Sequence, residues 1–129
     1  MTLEQKAQAF MEARLVAAMG TPSDVFDYVL QNYATNVVYY GKETTRGAIA
    51  ADKAKYFTKW PIRRYTLVPG TTNVSCDEVA QSCLLTGQTD YVVSNGTKTL
   101  SGRATIEVAA SFLGGKVQVT IENGHLLSQ

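Results

Sequence analysis

The chain is poor in the residues that most often carry chemistry. Its 129 residues include one histidine, two cysteines and one tryptophan. A lone histidine, His125, excludes a histidine-built metal centre, and two cysteines with one distant histidine do not make a zinc site. No metal or cofactor is expected. Proline is scarce, with three residues. No run approaches the roughly 18 consecutive apolar residues that a membrane helix needs. Charge of either sign is not in surplus: twelve basic side chains face eleven acidic ones, a formal net charge of +1. That balance offers no electrostatic footprint for nucleic acid. Residues 1–20 carry acids and bases at helical spacing and no apolar run of the kind a secretory leader needs, which does not by itself assign a compartment. Repeats, low-complexity tracts and linkers are absent too, so residues 1–129 read as one domain.

What is present divides at Pro61. Before it the apolar period is helical. Residues 2–19 have Leu3, Ala7, Phe10, Met11, Leu15 and Ala18 on one stripe, with Thr2 and Gln5 placed for a capping box and Gly20 as a stop. Thr21-Pro22-Ser23-Asp24 is a start signal, with a capping hydroxyl, a proline suited to the first turn and an acid at the positive end. Phe26, Val29, Leu30 and Tyr33 then follow at i, i+3, i+4, i+7, which predicts a helix to about residue 34. Val37-Val38-Tyr39-Tyr40 reads as a short strand ended by Gly41. A third helix is expected over residues 45–59, because Pro61 disfavours helical geometry at Trp60. Its inner face carries Ile49, Tyr56, Phe57 and Trp60. Lys53 falls on that same face.

After Pro61 the period is two. Strands are expected at 64–68, 73–76, 82–93, 99–112 and 116–123. Asn95-Gly96 suits a two-residue type I′ hairpin, which pairs Tyr91 with Leu100, Thr89 with Gly102 and Leu85 with Ile106. Gly114-Gly115 allows a second tight turn, pairing Phe112 with Val117 and Val108 with Ile121. Both registers put the apolar residues on one face. Gly87, Gly102, Ala104 and Ala110 on that face leave room, and glycine inside a strand permits bending. The expected fold class is α+β: three N-terminal helices packed on a strongly curved antiparallel sheet, a cone with a hollow.

Cys76 and Cys83 flank a short connection. If it is a hairpin they face each other at a separation compatible with a disulfide; two buried thiols are the alternative. A disulfide would indicate an oxidising compartment such as a bacterial periplasm, and free thiols the cytoplasm.

The order of helices and strands resembles the nuclear transport factor two-like superfamily, which includes SnoaL-like and ketosteroid isomerase-like domains. Local likeness lies in Val38-Tyr39-Tyr40-Gly41-Lys42, in Asp52-Lys53 followed by Tyr56-Phe57, in Trp60-Pro61-Ile62-Arg63-Arg64-Tyr65 and in the cysteine pair; it resembles uncharacterised alphaproteobacterial members. The resemblance implies a cystatin-like cone and a homodimer formed through the outer sheet face. It also implies that an enzyme would work from the hollow, the isomerase type with a carboxylate base and the dehydratase type with histidine and aspartate.

By strict alternation none of the inward strand positions is Asp, Glu or His. Asp90, Glu107 and Glu122 fall on the outer face, so no catalytic residue is assigned. The pocket candidates are Tyr40, Lys53, Tyr56, Trp60, Tyr65, Thr89, Tyr91 and Phe112. Tyrosine hydroxyls there could meet a ligand or simply cap a filled core. Lys53 could act as a base, or lie paired with a carboxylate. Lys59, Arg63 and Arg64 form a basic cluster expected to be solvated or paired with acids. The function expected is a non-catalytic domain holding a small apolar ligand or a protein partner in or beside the cone. The alternatives are a SnoaL-like enzyme using Lys53, Tyr40 and Asp27, and a structural dimerisation module.

Overall fold

Both ends of the first helix are set locally. In the computed structural model, which describes residues 1–128, α1 spans Leu3–Ala17. Thr2 and Gln5 form the capping box, each side chain bonding the other's backbone N–H. Thr21 and Asp24 repeat that device at α2 (Pro22–Asn32), with Pro22 in its first turn. Leu3, Ala7, Phe10 and Met11 are buried. The buried residues of α2 are Val25 and Val29; of the expected stripe, Phe26 packs only partly buried against the core and Leu30 is 37% exposed. The helix also stops earlier than residue 34. Tyr33 is already extended and opens β1 (Tyr33–Tyr39), with its side chain in the core.

Tyr40 and Gly41 both adopt positive φ and turn the chain into β2 (Lys42–Thr45), which pairs with β1. Thr45 then caps α3 (Arg46–Lys59). The remaining strands are β3 (Ile62–Leu67), β4 (Asn73–Asp77), β5 (Ser82–Ser94), β6 (Thr99–Ser111), β7 (Gln118–Asn123) and β8 (Leu126–Ser128). Among the described residues the sheet order is β2-β1-β7-β6-β5-β3, with β4 also on β5 and β8 also on β6. The α+β class and the helices on one sheet are as expected. The sheet is mixed, however, because β1 runs parallel to β7. No described helix is long and apolar enough to cross a membrane.

Two long strands shape the hollow. The first half of β5 pairs with β4 and the second half with β3. Between those halves lie Gly87 and Gln88. The Gln88 carbonyl accepts from the Val68 N–H, and its N–H donates to the Thr71 hydroxyl. The β3–β4 connection thus satisfies the backbone of Gln88, where β5 changes partners, as buried peptide groups require.

The β5–β6 register differs from expectation by two residues. Tyr91 faces Gly102, and the strands close at Ser94 and Thr99. A type I′ turn needs positive φ at both central residues, but only Gly96 has it. The Asn95 side chain instead accepts from the N–H groups of Thr97 and Lys98, while the Asn95 N–H donates to the Lys98 carbonyl, closing a four-residue loop. A shift of two preserves which face each residue occupies, so the apolar face survives.

The β6–β7 pairing begins as expected, Ala110 against Val119. It then slips by one residue: Ala109 faces Ile121 and Val108 faces Glu122. Thr120 is the extra residue of a β-bulge, and its hydroxyl bonds the Ala109 carbonyl. On the other side, the pairing of β7 with β1 also breaks between Tyr33 and Val38. An odd shift reverses the faces beyond it. Glu122, assigned outward by alternation, therefore points inward and is 4% exposed.

Cys76 faces Cys83 and the two form a disulfide. The loop it closes is short, so its stabilisation by chain entropy is about 2–3 kcal/mol.

Candidate functional site

The bulge at Thr120 brings Glu122 beneath two helices. Arg14, in the last turn of α1, places Nη2 3.1 Å from Glu122 Oε1. Lys53, midway along α3, places Nζ 2.7 Å from Oε2. The Tyr33 hydroxyl donates to Oε1, and Arg14 Nη2 lies 3.4 Å from that hydroxyl. Three side chains, from α1, β1 and α3, thus meet around the one carboxylate of β7. Arg14 is on the stripe of Ala7, Phe10 and Met11, just as Lys53 is on the stripe of Ile49 and Tyr56. Each helix therefore contributes one cation to its inner face.

Electrostatics sets the charge state of the group. Burial alone would raise the Glu122 carboxyl; the Lys53 and Arg14 charges, with hydrogen bonds from Lys53 and Tyr33, outweigh it and hold the pKa at about 2. Burial would likewise lower Lys53, but Glu122 overrides it and raises the ammonium above its usual range. The Tyr33 phenol is raised chiefly by burial. Glu122 is therefore a carboxylate, Lys53 an ammonium and Tyr33 a neutral donor at neutral pH.

This group closes one wall of a cavity of about 670 Å³. Seven of the eight pocket candidates line it: Tyr40, Lys53, Tyr56, Trp60, Tyr65, Thr89 and Tyr91. Phe112 does not; it packs edge-on against Phe10, with ring centroids 6.0 Å apart, in the filled end of the core. Tyr39 also lines the cavity and donates its hydroxyl to Asp52 at the rim, 3.1 Å away. Burial pushes the Tyr65 phenol up to about 12. Two of the lining residues also carry a buried polar atom without a partner, Arg14 Nε and Thr89 Oγ1.

Other residues singled out from the sequence lie elsewhere. Asp27 is exposed on α2 and Asp90 is exposed, paired with Arg103 at 2.7 Å. His125 is exposed; its backbone pairs with Thr105 and its Nδ1 is 3.1 Å from that hydroxyl. Arg63 is not part of a solvated basic cluster. It is 8% exposed, bonds the carbonyls of Ala18, Gly20, Phe57 and Trp60, and stacks 4.1 Å from the Phe57 ring. It ties the ends of α1 and α3 together, as a cation at helix C-termini should.

Arg14, Tyr33 and Glu122 were not among the candidates. For Arg14 the helical spacing was a usable signal. For Glu122 none existed, since Val117 to Asn123 alternates without a break.

No family model matches the sequence, and no curated protein matches it. Solved structures do. ActVI-ORFA from Streptomyces coelicolor superposes with a TM-score of 0.71 at 13% identity, covering 95% of this chain and 93% of that one. An uncharacterised protein with a cystatin-like fold from Caulobacter vibrioides gives 0.73 at 11%, covering 94% and 87%. A protein from Streptomyces avermitilis, described as a dehydratase candidate of the NTF2-like family, gives 0.58 at 10%, covering 72% and 67%. The chain has the cystatin-like, nuclear transport factor two-like fold.

Proposed function

We propose that this protein binds a small amphipathic molecule inside the cone and does not transform it. The observation that carries the proposal is the state of Glu122. The cavity's buried carboxylate is already engaged by two cations and a phenol, with its pKa held at about 2. A general base works best with a pKa near the operating pH, and Glu122 is far from it. Lys53 is kept charged, and an ammonium has no lone pair for nucleophilic attack. Much of the rest of the wall is tyrosine and tryptophan with aliphatic side chains such as Leu15, Val93 and Leu100, suited to holding an apolar body and orienting a polar group. A cavity of about 670 Å³ lies within the usual range for small-molecule sites.

A second reading is a SnoaL-like enzyme. It draws on the presence of a carboxylate in the hollow, where alternation had excluded every acid. A substrate that drew Arg14 and Lys53 away from Glu122 would return its basicity. Native mass spectrometry before and after unfolding, combined with turnover assays on carbon acids, separates the readings. Binding predicts an adduct released unchanged and no turnover. Turnover abolished in a folded Glu122→Gln variant would overturn it.

The Cys76–Cys83 disulfide supports an oxidising compartment, such as a bacterial periplasm, as the place of function. A homodimer through the outer sheet face is part of the same proposal. Val38, Leu84 and Val92 stand exposed there and would be covered by it.

A further inference from the structure

The cavity wall carries more positive charge than its acid can neutralise. Three cationic side chains line it, Arg14, Lys53 and Lys59, against two acids, Asp52 and Glu122. Lys59 and Asp52 are exposed at the rim. Arg14, Lys53 and Glu122 form the buried part, two cations on one carboxylate. One positive charge is left over in a place shielded from water, where charge interactions are strong.

The surplus has a direction. Arg14 meets Glu122 through Nη2, 3.1 Å from Oε1. The neighbouring Nε–H has no partner, although the Arg14 side chain is only 10% exposed. A buried guanidinium donor left unbonded is costly, and the planar fork of Arg suits a carboxylate better than any neutral group. Thr89, another lining residue, carries a second unbonded buried polar atom, Oγ1. Tyr39, Trp60 and Tyr91 provide flat surface for the rest of a ligand.

We infer that the cavity takes a small monocarboxylic acid with an aromatic or apolar body, its carboxylate turned toward Arg14 and the body against the tyrosines and Trp60. The inference rests on the binding reading above and adds the charge of the ligand to it. A single negative charge completes the neutralisation; a cation would add to the surplus.

Three probes with one body test it: 3-phenylpropanoate, 3-phenylpropanamide and 3-phenylpropylammonium, titrated calorimetrically and by the emission of Trp60, the chain's only tryptophan. The acid is expected to bind about tenfold or more tighter than the amide, and the ammonium not at all. In Arg14→Gln the acid-to-amide ratio should fall toward one. Should that variant not fold, the Arg14 Nε–H resonance of the wild-type protein serves instead, expected to move on adding the acid and to stay on adding the amide. Amide binding as tight as the acid, preference for the ammonium, or an unmoved Arg14 resonance under saturating acid would overturn the inference and leave the cavity a binding site. Failure of all three probes to bind at millimolar concentration would overturn the binding reading with it.

Discussion

The same two strands serve a filled half of the cone and a hollow one. Toward the disulfide end, Cys83, Leu85, Val108 and Ala110 of β5 and β6 are buried against Phe10, Met11 and Phe112. Toward the other end, Thr89, Tyr91, Leu100 and Ala104 on the same faces of the same strands line open space under Arg14, Lys53 and Trp60. Sheet, helices and face are shared; side-chain volume and polarity are not. The filled half holds the fold by close packing. The hollow half keeps buried charges and two unbonded polar atoms, features that weaken a core and that a binding site can use.

The comparison breaks most severely at Glu122. Glu122→Leu leaves Arg14 and Lys53 buried without their partner, and breaking a buried pair this way costs about 3–5 kcal/mol; urea unfolding should show a loss of that size, and a loss below about 1 kcal/mol would mean the group is effectively solvated. In the filled half, Leu85→Ala removes a side chain with no exposure and should cost about 3 kcal/mol through lost burial and an unfilled cavity.

Acid should act on the hollow half alone. The folded pKa of Glu122 is about 2, below that of an unfolded glutamate. Its contribution is therefore complete above about pH 5 and is lost as pH falls toward 2. Melting temperature should drop across that window in the wild-type protein and much less in Glu122→Gln. The smallest effect is expected at Thr89→Val. Its hydroxyl is buried and unbonded, so the change should alter stability by less than about 0.5 kcal/mol or raise it, a contrast with Leu85→Ala four residues away on the same strand.

The two halves also differed in how much their sequence disclosed. In the filled half, alternation named the buried face and Gly114-Gly115 the start of the β6–β7 pairing, Ala110 against Val119, while the facing cysteines left a disulfide or two thiols open. The Asn95-Gly96 turn was misjudged in type, since the Asn95 side chain closes a longer loop, but the two-residue error left the faces intact. In the hollow half, seven lining residues could be named, Lys53, Tyr56 and Trp60 from a helix face, Thr89 and Tyr91 from strand parity, and Tyr40 and Tyr65 as tyrosines. Its centre could not. The bulge at Thr120 depends on β1 and β6 both breaking register beside β7, a tertiary condition that Val117 to Asn123 does not encode locally. Tyr33 was read as a helical residue because its spacing from Val29 fits either state. Arg14 was passed over although its spacing from Phe10 and Met11 matched that of Lys53 on its own helix.

The protonation of Glu122 tests the central claim most directly. With ¹³C-labelled glutamate, the side-chain carboxyl resonance of Glu122 can be followed from pH 7 downward. The account predicts no titration until the pH nears 2. A midpoint at pH 4 or above would mean that Arg14 and Lys53 do not hold the carboxylate in its charged form, and the observation that carries the binding reading would be contradicted.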